Sequence, residues 1–358
     1  MNTDLQRALS FHKEGQIDKA IKIYLNLLKQ NKDDSALLQL IGTCYLQTKN
    51  YGLSEKYLLK SFNIDPNNPG TLNNLGILNK QNSNFVKALD YFEKNIKKNN
   101  FLNSWVNKSN ILLINDNYTE GLDFTKNALK NYPKDQKLRN NYAVFLFKCG
   151  FQEESLSIFK QLENEEALSS ESYFNYSNLL IQINNLSKAL EIVDKLLMFD
   201  PKNLDALRQR HNINKLLLDF KKSEEDILKA IEIDKFNYLS NKMIVELYID
   251  FKNHEKALPY CDFMIKNEIE KNFFLSKKIL CKIYLGKWNN LIDELKIFNK
   301  NLIPENITMN PLSLKYLNDD ALFQKKYTEN FWNLRPKNNY LSKISLIDEF
   351  KKKNEKIR

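Results

Sequence analysis

Glycine and proline are scarce: eight of each in 358 residues. The glycines are scattered, and none opens the glycine-rich turn that cradles a phosphate between a strand and a helix, so no nucleotide-binding βαβ unit is indicated. Cysteine is confined to Cys44, Cys149, Cys261 and Cys281, with no C-x-x-C pair and no zinc-like spacing. Such usage implies free, mostly buried thiols in a reducing compartment. The three histidines, His12, His211 and His254, are far apart and compose no ligand or general-base motif. No run of eighteen apolar residues is present to cross a membrane. The opening MNTDLQRALSFHKEGQ lacks the charged-then-apolar order of a secretory signal. These absences predict a soluble, cytoplasmic chain with no catalytic residue, metal or cofactor site.

Charge is the other imbalance. Fifty-four basic against 44 acidic residues leave a net +10, which raises nucleic acid or a membrane surface as partners. The lysines are spread over the whole length, alongside abundant Asn and Ile, and the one basic run is Lys351-Lys352-Lys353. That distribution reads as biased amino-acid usage rather than a built patch. Most aromatics sit in helical core phase and not as stacking platforms. Membrane is therefore set aside as a partner, and a basic nucleic-acid-binding scaffold is kept as the weaker alternative to protein binding.

What the chain has is a period. A small residue recurs as Ala20, Ser54, Ala88, Gly121, Ser155, Ala189, Ser223 and Ala257, at intervals of 34 residues with a single 33. A fixed period of this size marks a stacked array, and a small side chain held at one phase implies two helices crossing closely. With the first unit numbered from residue 1, position 8 is small in Ala8, Gly42, Gly76, Ser109, Ala143 and Ser177, and departs to His211 and Val245. Position 24 is mostly large and apolar: Tyr24, Leu58, Phe92, Phe159, Val193 and Ile227, with Thr125 and Cys261 as exceptions. Pro66, Pro133 and Pro201 fall at position 32, where proline ends a helix and opens a turn. Apolar spacing within a unit is helical, as in Ala88, Leu89, Phe92 and Ile96, and short polar stretches such as KEGQID at 13–18 separate the two helices. Each unit is thus a helix–turn–helix hairpin that must stack on its neighbours to bury its apolar face.

These features, with Trp105 at the fourth position of its unit, resemble the tetratricopeptide repeat (TPR). The resemblance implies an all-α, right-handed superhelical solenoid of helix–turn–helix repeats. It places eight repeats in residues 1–271 and a degenerate ninth hairpin or cap in 272–303. The fifth repeat lacks a proline near residue 167 and the seventh carries His211, which predicts looser packing there.

In TPR proteins the first helix of each repeat lines the concave surface. At its sixth position stand Asn74, Asn107, Asn141 and Asn175, with Gln6 and Gln209 as weaker amide equivalents and Leu40 and Met243 as breaks. An Asn side chain offers one acceptor oxygen and two N–H donors, so a column of them could hold the C=O and N–H groups of an extended peptide. The predicted partner is a protein or peptide ligand in the concave groove. The alternative is compositional: Asn is common on these helices, as at Asn73, Asn110, Asn140 and Asn178, and a polar residue facing solvent would satisfy the same position. The Asn74-Leu75-Gly76 setting is similar to the asparagine ladder of O-linked N-acetylglucosamine transferases, whose repeats recruit polypeptide substrates.

From Pro304 the period is lost. Pro311, Leu314, Leu317, Asp319, Asp320 and Gln324, followed by Lys356-Ile357-Arg358, resemble the segment joining repeats to the catalytic domain in bacterial O-linked N-acetylglucosamine transferase and SPINDLY-like glycosyltransferases, with Leu312 in place of a phenylalanine. A helix is expected from about Asp319 to Trp332. The resemblance implies a linker-like helical segment at 304–358 and a catalytic domain absent from this chain. It also implies that the chain is no enzyme alone. Its partner would be a separate glycosyltransferase domain, or the chain would be part of a truncated or split transferase.

Overall fold

The computed structural model describes residues 3–301 and Lys325. The linker-like reading of 304–358, including the helix expected at Asp319–Trp332, lies outside the described residues apart from Lys325, which is helical and exposed. Among the described residues there are eighteen α-helices and no strand. They divide into two compact units, one ending at Asn185 and the other beginning at Leu186.

The N-terminal unit holds α1 (Thr3–Lys13), α2 (Ile17–Gln30), α3 (Ser35–Gln47), α4 (Tyr51–Ile64), α5 (Pro69–Gln81), α6 (Phe85–Asn99), α7 (Leu102–Ile114), α8 (Tyr118–Asn131), α9 (Gln136–Lys148), α10 (Gln152–Asn164) and α11 (Ser170–Gln182). The C-terminal unit holds α12 (Leu186–Phe199), α13 (Leu204–Leu216), α14 (Phe220–Ile233), α15 (Tyr238–Asp250), α16 (His254–Lys266), α17 (Lys271–Tyr284) and α18 (Leu291–Asn301). Within each unit every helix packs on the next in the chain. In the N-terminal unit the first helices also pack on one another, α3 on α5, α5 on α7, α7 on α9 and α9 on α11. This makes a continuous layer of first helices, flanked by the second helices.

Local chemistry sets the helix limits. The residue preceding a first helix usually caps it: Asp34 accepts from the Leu37 N–H at 2.9 Å, Asn68 from Thr71 at 2.9 Å and Asp135 from Leu138 at 2.8 Å, and Asn203 and Asn237 act alike. Pro66, Pro133 and Pro201 occupy the second place of tight turns between repeats, closed by N–H···O bonds such as Asn68 to Asp65 at 3.2 Å. Each first helix ends on a residue of positive φ: Gly15, Lys49, Ser83, Asp116, Gly150, Asn184, Leu218, Lys252 and, in the last hairpin, Gly286. The next N–H then returns to a carbonyl five residues back, as in Gln16 to Phe11 at 2.8 Å and Lys287 to Lys282 at 2.9 Å. The conformation is the same whether or not glycine supplies it. Leu218, at φ +60°, shows that the repeat imposes it against local preference.

The recurrent small residues lie where the two helices of a hairpin cross. All eight are buried, and so are all eight residues at position 8 and all eight at position 24. Where serine fills the small position, its hydroxyl donates across the crossing to the position-8 carbonyl: Ser54 to Gly42 at 2.9 Å and Ser155 to Ala143 at 2.7 Å. A β-carbon on Gly76 would lie 2.4 Å from the Phe92 ring, so the large residue at position 24 occupies the space glycine leaves. Burying each such large side chain contributes roughly 1.5–3 kcal/mol.

His211 is accommodated at position 8 by hydrogen bonding. Its Nδ1 lies 2.9 Å from the Ser223 carbonyl and 2.9 Å from Ser223 Oγ, while the hydroxyl reaches the His211 carbonyl at 3.2 Å. A carbonyl can only accept, so Nδ1 carries the proton. The ring is 1 % exposed. Burial lowers its pKa below the ordinary 6.5, with Lys215 acting in the same sense and the Ser223 carbonyl and Asp226 opposing.

Two outcomes test this packing. Gly76→Ala is expected to destabilise the fold by about 1–3 kcal/mol in denaturant titrations, because the Phe92 ring has to move. Because the folded chain resists protonating His211, the unfolded chain takes up the proton first. Stability attributable to this ring is therefore complete above pH 6.5 and is lost as pH falls below that value. The slope is at most about 1.4 kcal/mol per pH unit. Unfolding curves of wild type and His211→Ser between neutral pH and pH 5 are expected to converge on acidification; parallel curves would contradict the assignment.

Candidate functional site

The four amides at position 6 stand on α5, α7, α9 and α11, in the layer of first helices. Each reaches back to the preceding first helix. Asn74 Nδ2 donates to Thr43 Oγ1 at 2.6 Å, Asn107 Nδ2 to Asn73 Oδ1 at 3.1 Å and Asn175 Nδ2 to Asn140 Oδ1 at 3.3 Å. Asn141 Nδ2 makes two such bonds, to Ser109 Oγ at 2.7 Å and Asn110 Oδ1 at 2.6 Å, and its Oδ1 accepts from Asn140 at 3.2 Å. The Thr43 hydroxyl donates to the Gln39 carbonyl at 2.8 Å, so toward Asn74 it can only accept, which fixes the Asn74 amide with nitrogen inward and oxygen outward.

The amides therefore differ in what they leave over. Asn141 is 2 % exposed and has both donors engaged; it is a rivet between α7 and α9. Asn107 and Asn175 are half-buried, and Asn74 is 8 % exposed. Each of these three engages one N–H with its neighbour and keeps its oxygen and a second N–H for another partner. Asn73 and Asn140, which sequence reasoning took only as signs of composition, are the acceptors on which Asn107 and Asn175 rest. A 34-residue comparison aligns positions 5 and 6 within repeats but carries no sign that they meet across repeats.

A second constellation escaped the sequence reading. Position 7 of the first helix is a core position, yet it is cationic in Lys108, Arg210 and Lys278. Each pairs with a carboxylate at position 25 of the helix before: Lys108 with Glu93, Arg210 with Asp194 at 2.6 Å and Lys278 with Asp262 at 2.8 Å. The latter two also pair with position 23 of their own hairpin, Arg210 with Asp226 at 2.6 Å and Lys278 with Glu294 at 2.8 Å. In the third case Phe124 takes that place, its ring centroid 4.9 Å from Lys108 Nζ. The hydrogen bond from Lys108 holds the Glu93 carboxyl below the usual range. Burial works against ionisation of Glu294, but the bonds from Lys278 and Lys282 outweigh it and hold that carboxyl low. The signal was available as a cation and an acid 15 or 16 residues apart, which a search by repeat position overlooks because it crosses the repeat boundary.

Of the remaining reactive side chains, His12 and Cys44 meet each other, and His254 stands apart from both. His12 bonds Gln47 Oε1 at 3.0 Å, with Cys44 Sγ 3.6 Å from its Nδ1, and His254 stacks on Tyr284 with centroids 4.7 Å apart. Burial pushes the Cys44 and Cys281 thiols up to about 11, so both are protonated near neutral pH and are poor nucleophiles. Among the described residues no group of three or more His, Cys, Asp and Glu could hold a metal ion. No described helix is long and apolar enough to cross a membrane.

A family model described as tetratricopeptide repeat matches residues 35–68 and 170–203, in the frame of the second and sixth repeats. No curated protein matches the chain. Among solved structures, a tetratricopeptide repeat protein from Parabacteroides merdae is similar at 16 % identity and a TM-score of 0.56, over 69 % of this chain and 97 % of that one. The APC/C hetero-tetramer Cut9-Hcn1 is similar at 11 % identity and 0.59, over 67 % of this chain and 48 % of that one. The type IV pilus biogenesis factor PilW is similar at 15 % identity and 0.51, over 57 % of this chain and 98 % of that one. The chain contains TPR repeats and has the all-α solenoid fold; at these identities the likeness speaks for fold alone. The glycosyltransferase resemblance gains no support from these comparisons.

Asn141→Ala is expected to cost about 1–3 kcal/mol of stability, because it strands the buried partners of a saturated amide. Chemical denaturation reads this directly; an unchanged midpoint would show that the rivet carries no load.

Proposed function

We propose that the chain is a protein-interaction scaffold whose first-helix layer in the N-terminal unit receives an extended polypeptide. The supporting observation is that Asn74, Asn107 and Asn175 are each held by one bond to the preceding helix while the amide oxygen stays available. Held amides lose little freedom on meeting a guest, and a bond to a peptide N–H reads backbone and not side chain. Asn141 keeps α9 in place beneath the guest and does not touch it. The direct packing among first helices supports a layer that curves toward that face. The eight repeats of residues 1–271 form the scaffold and the hairpin at 272–303 caps it; the turn at Gly286 and the ion pairs of Lys278, which keep the register of earlier repeats, support that reading. A glycosyltransferase as recipient of the guest rests on the resemblance of residues 304–358 alone.

The test is selection of binders from a displayed library of unstructured peptides, followed by affinity measurement. Asn74→Ala, Asn107→Ala and Asn175→Ala combined are expected to weaken binding at least tenfold, from about 0.5–1.5 kcal/mol per lost bond. Asn141→Ala, once corrected for unfolded protein, is expected to leave it unchanged. Equal affinity of the triple variant and wild type would remove the amides from the binding face.

A further inference from the structure

On the second-helix side of the N-terminal unit, α2, α3, α4 and the turn after α2 enclose an open cavity of about 580 Å³. Its floor is Leu25, Leu28 and the buried Leu38, and its rim carries Lys22, Lys29, Lys32 and Lys60 with Asn26. None of the lining residues is acidic. Lysines elsewhere in this fold pair with carboxylates, Lys97 with Glu93 at 3.7 Å and Lys256 with Glu224 at 2.9 Å among them. Here Lys29 Nζ turns to Asn26 Oδ1 at 3.4 Å. One repeat further on, Phe62 stands at the position of Leu28, with Lys94 Nζ 4.6 Å from its ring centroid and Tyr91 edge-on at 5.9 Å. The junction of α12, α13 and α14 opens at the same repeat positions, with Leu197 for Leu28, but its lining mixes Asp194 with Arg210 and Lys229; around the first junction the charge is of one sign.

We infer that this cavity is a docking site for an acidic segment of a partner protein, one that seats a leucine-sized side chain on the floor and sets carboxylates against the lysines. The spacing argues for a peptide. Lys22 and Lys29 are seven residues apart on one helix, about 10 Å along its axis, and Lys60 stands on another helix, α4. Carboxylates distributed along a chain match it, and the three-leucine floor is short for an acyl tail. Apart from Leu38 on α3, the site lies on second helices and the turn after α2, and it shares no side chain with the amide face.

The probe is a fluorescein-labelled peptide of alternating Glu-Glu and Leu-Leu pairs, read by anisotropy against the purified full chain. Binding is expected to weaken with salt. It is expected to fall about tenfold when Glu is replaced by Gln or Leu by Ser in the peptide. The combined variant Lys22→Gln, Lys29→Gln and Lys60→Gln, all at exposed positions, is expected to lose about tenfold, from modest contributions of three exposed ion pairs. The charge-matched variant Lys98→Gln, Lys130→Gln and Lys160→Gln is expected to bind as wild type, and so is the Asn74, Asn107 and Asn175 triple. Equal loss in the two lysine variants, no binding of the acidic peptide, or lysine-dependent capture by phosphatidylserine vesicles in its place would each overturn the assignment.

Discussion

The fold depends on how closely the two helices of each hairpin approach. A hairpin of this size cannot bury its apolar stripe alone, so its neighbours must reach in. They can do so only where the helix crossing is narrow. The small residues at positions 8 and 20 make it narrow, and the large residue at position 24 fills the space they free. Three different chemistries satisfy this constraint. Gly76 yields room to Phe92. Ser54 and Ser155 spend their hydroxyls on the facing carbonyl, so a polar atom is buried without an unmet bond. His211, far larger, is tolerated because Ser223 offers it both a hydroxyl and a carbonyl. What recurs along the array is a buried crossing and not the residue that achieves it.

A second constraint governs register. The cations at position 7 are placed where burial penalises charge, and a buried ion pair contributes little net stability against an apolar alternative. Their value lies in what misalignment would do. Arg210 meets Asp194 on the helix before it and Asp226 on the helix after it, so a helix slipped by one turn would strand a charge. Apolar stripes tolerate sliding, because one leucine contact resembles the next. A pair locked at positions 7 and 25 does not, and it recurs at the last hairpin through Lys278 and Asp262.

Period, helix type and the identity of the crossing residues were legible in the sequence because they recur in phase, and recurrence separates signal from composition. The turn prolines were legible for the same reason. The left-handed turn at position 15 was hidden, since Gly15, Lys49, Asp116 and Leu218 share a conformation and no chemistry. Looser packing was expected at the seventh repeat from His211 alone; the buried, doubly bonded ring shows that a neighbour twelve residues on decides the matter. The asparagine column was visible, but its bonding was not. Whether an amide faces a guest or a neighbouring helix depends on positions 5, 8 and 9 of the repeat before, and on which of those happen to be Asn, Ser or Thr.

The same reasoning says where function can reside in such an array. Positions 8, 20 and 24 are consumed by stacking, and change there is felt as stability. Positions 22, 26 and 29 on the second helices are free of that duty, and so in part is position 6 on the first helices, where Asn74, Asn107 and Asn175 each spend one N–H on the neighbouring helix and Asn141 spends both. Repeats can therefore differ there without altering the fold. Asn74, Asn107 and Asn175 share one of these positions and leave neutral acceptors in a row. Lys22 and Lys29, with Lys60 from the next repeat, occupy the others and leave concentrated charge over an apolar floor. Neutral acceptors hold a backbone with little dependence on ionic strength, whereas ammonium groups attract at a distance and fade with salt. Under the two proposals, the amide face and the lysine-rimmed cavity would take guests of different chemistry, and because they share no side chain, each can be altered without changing the residues of the other.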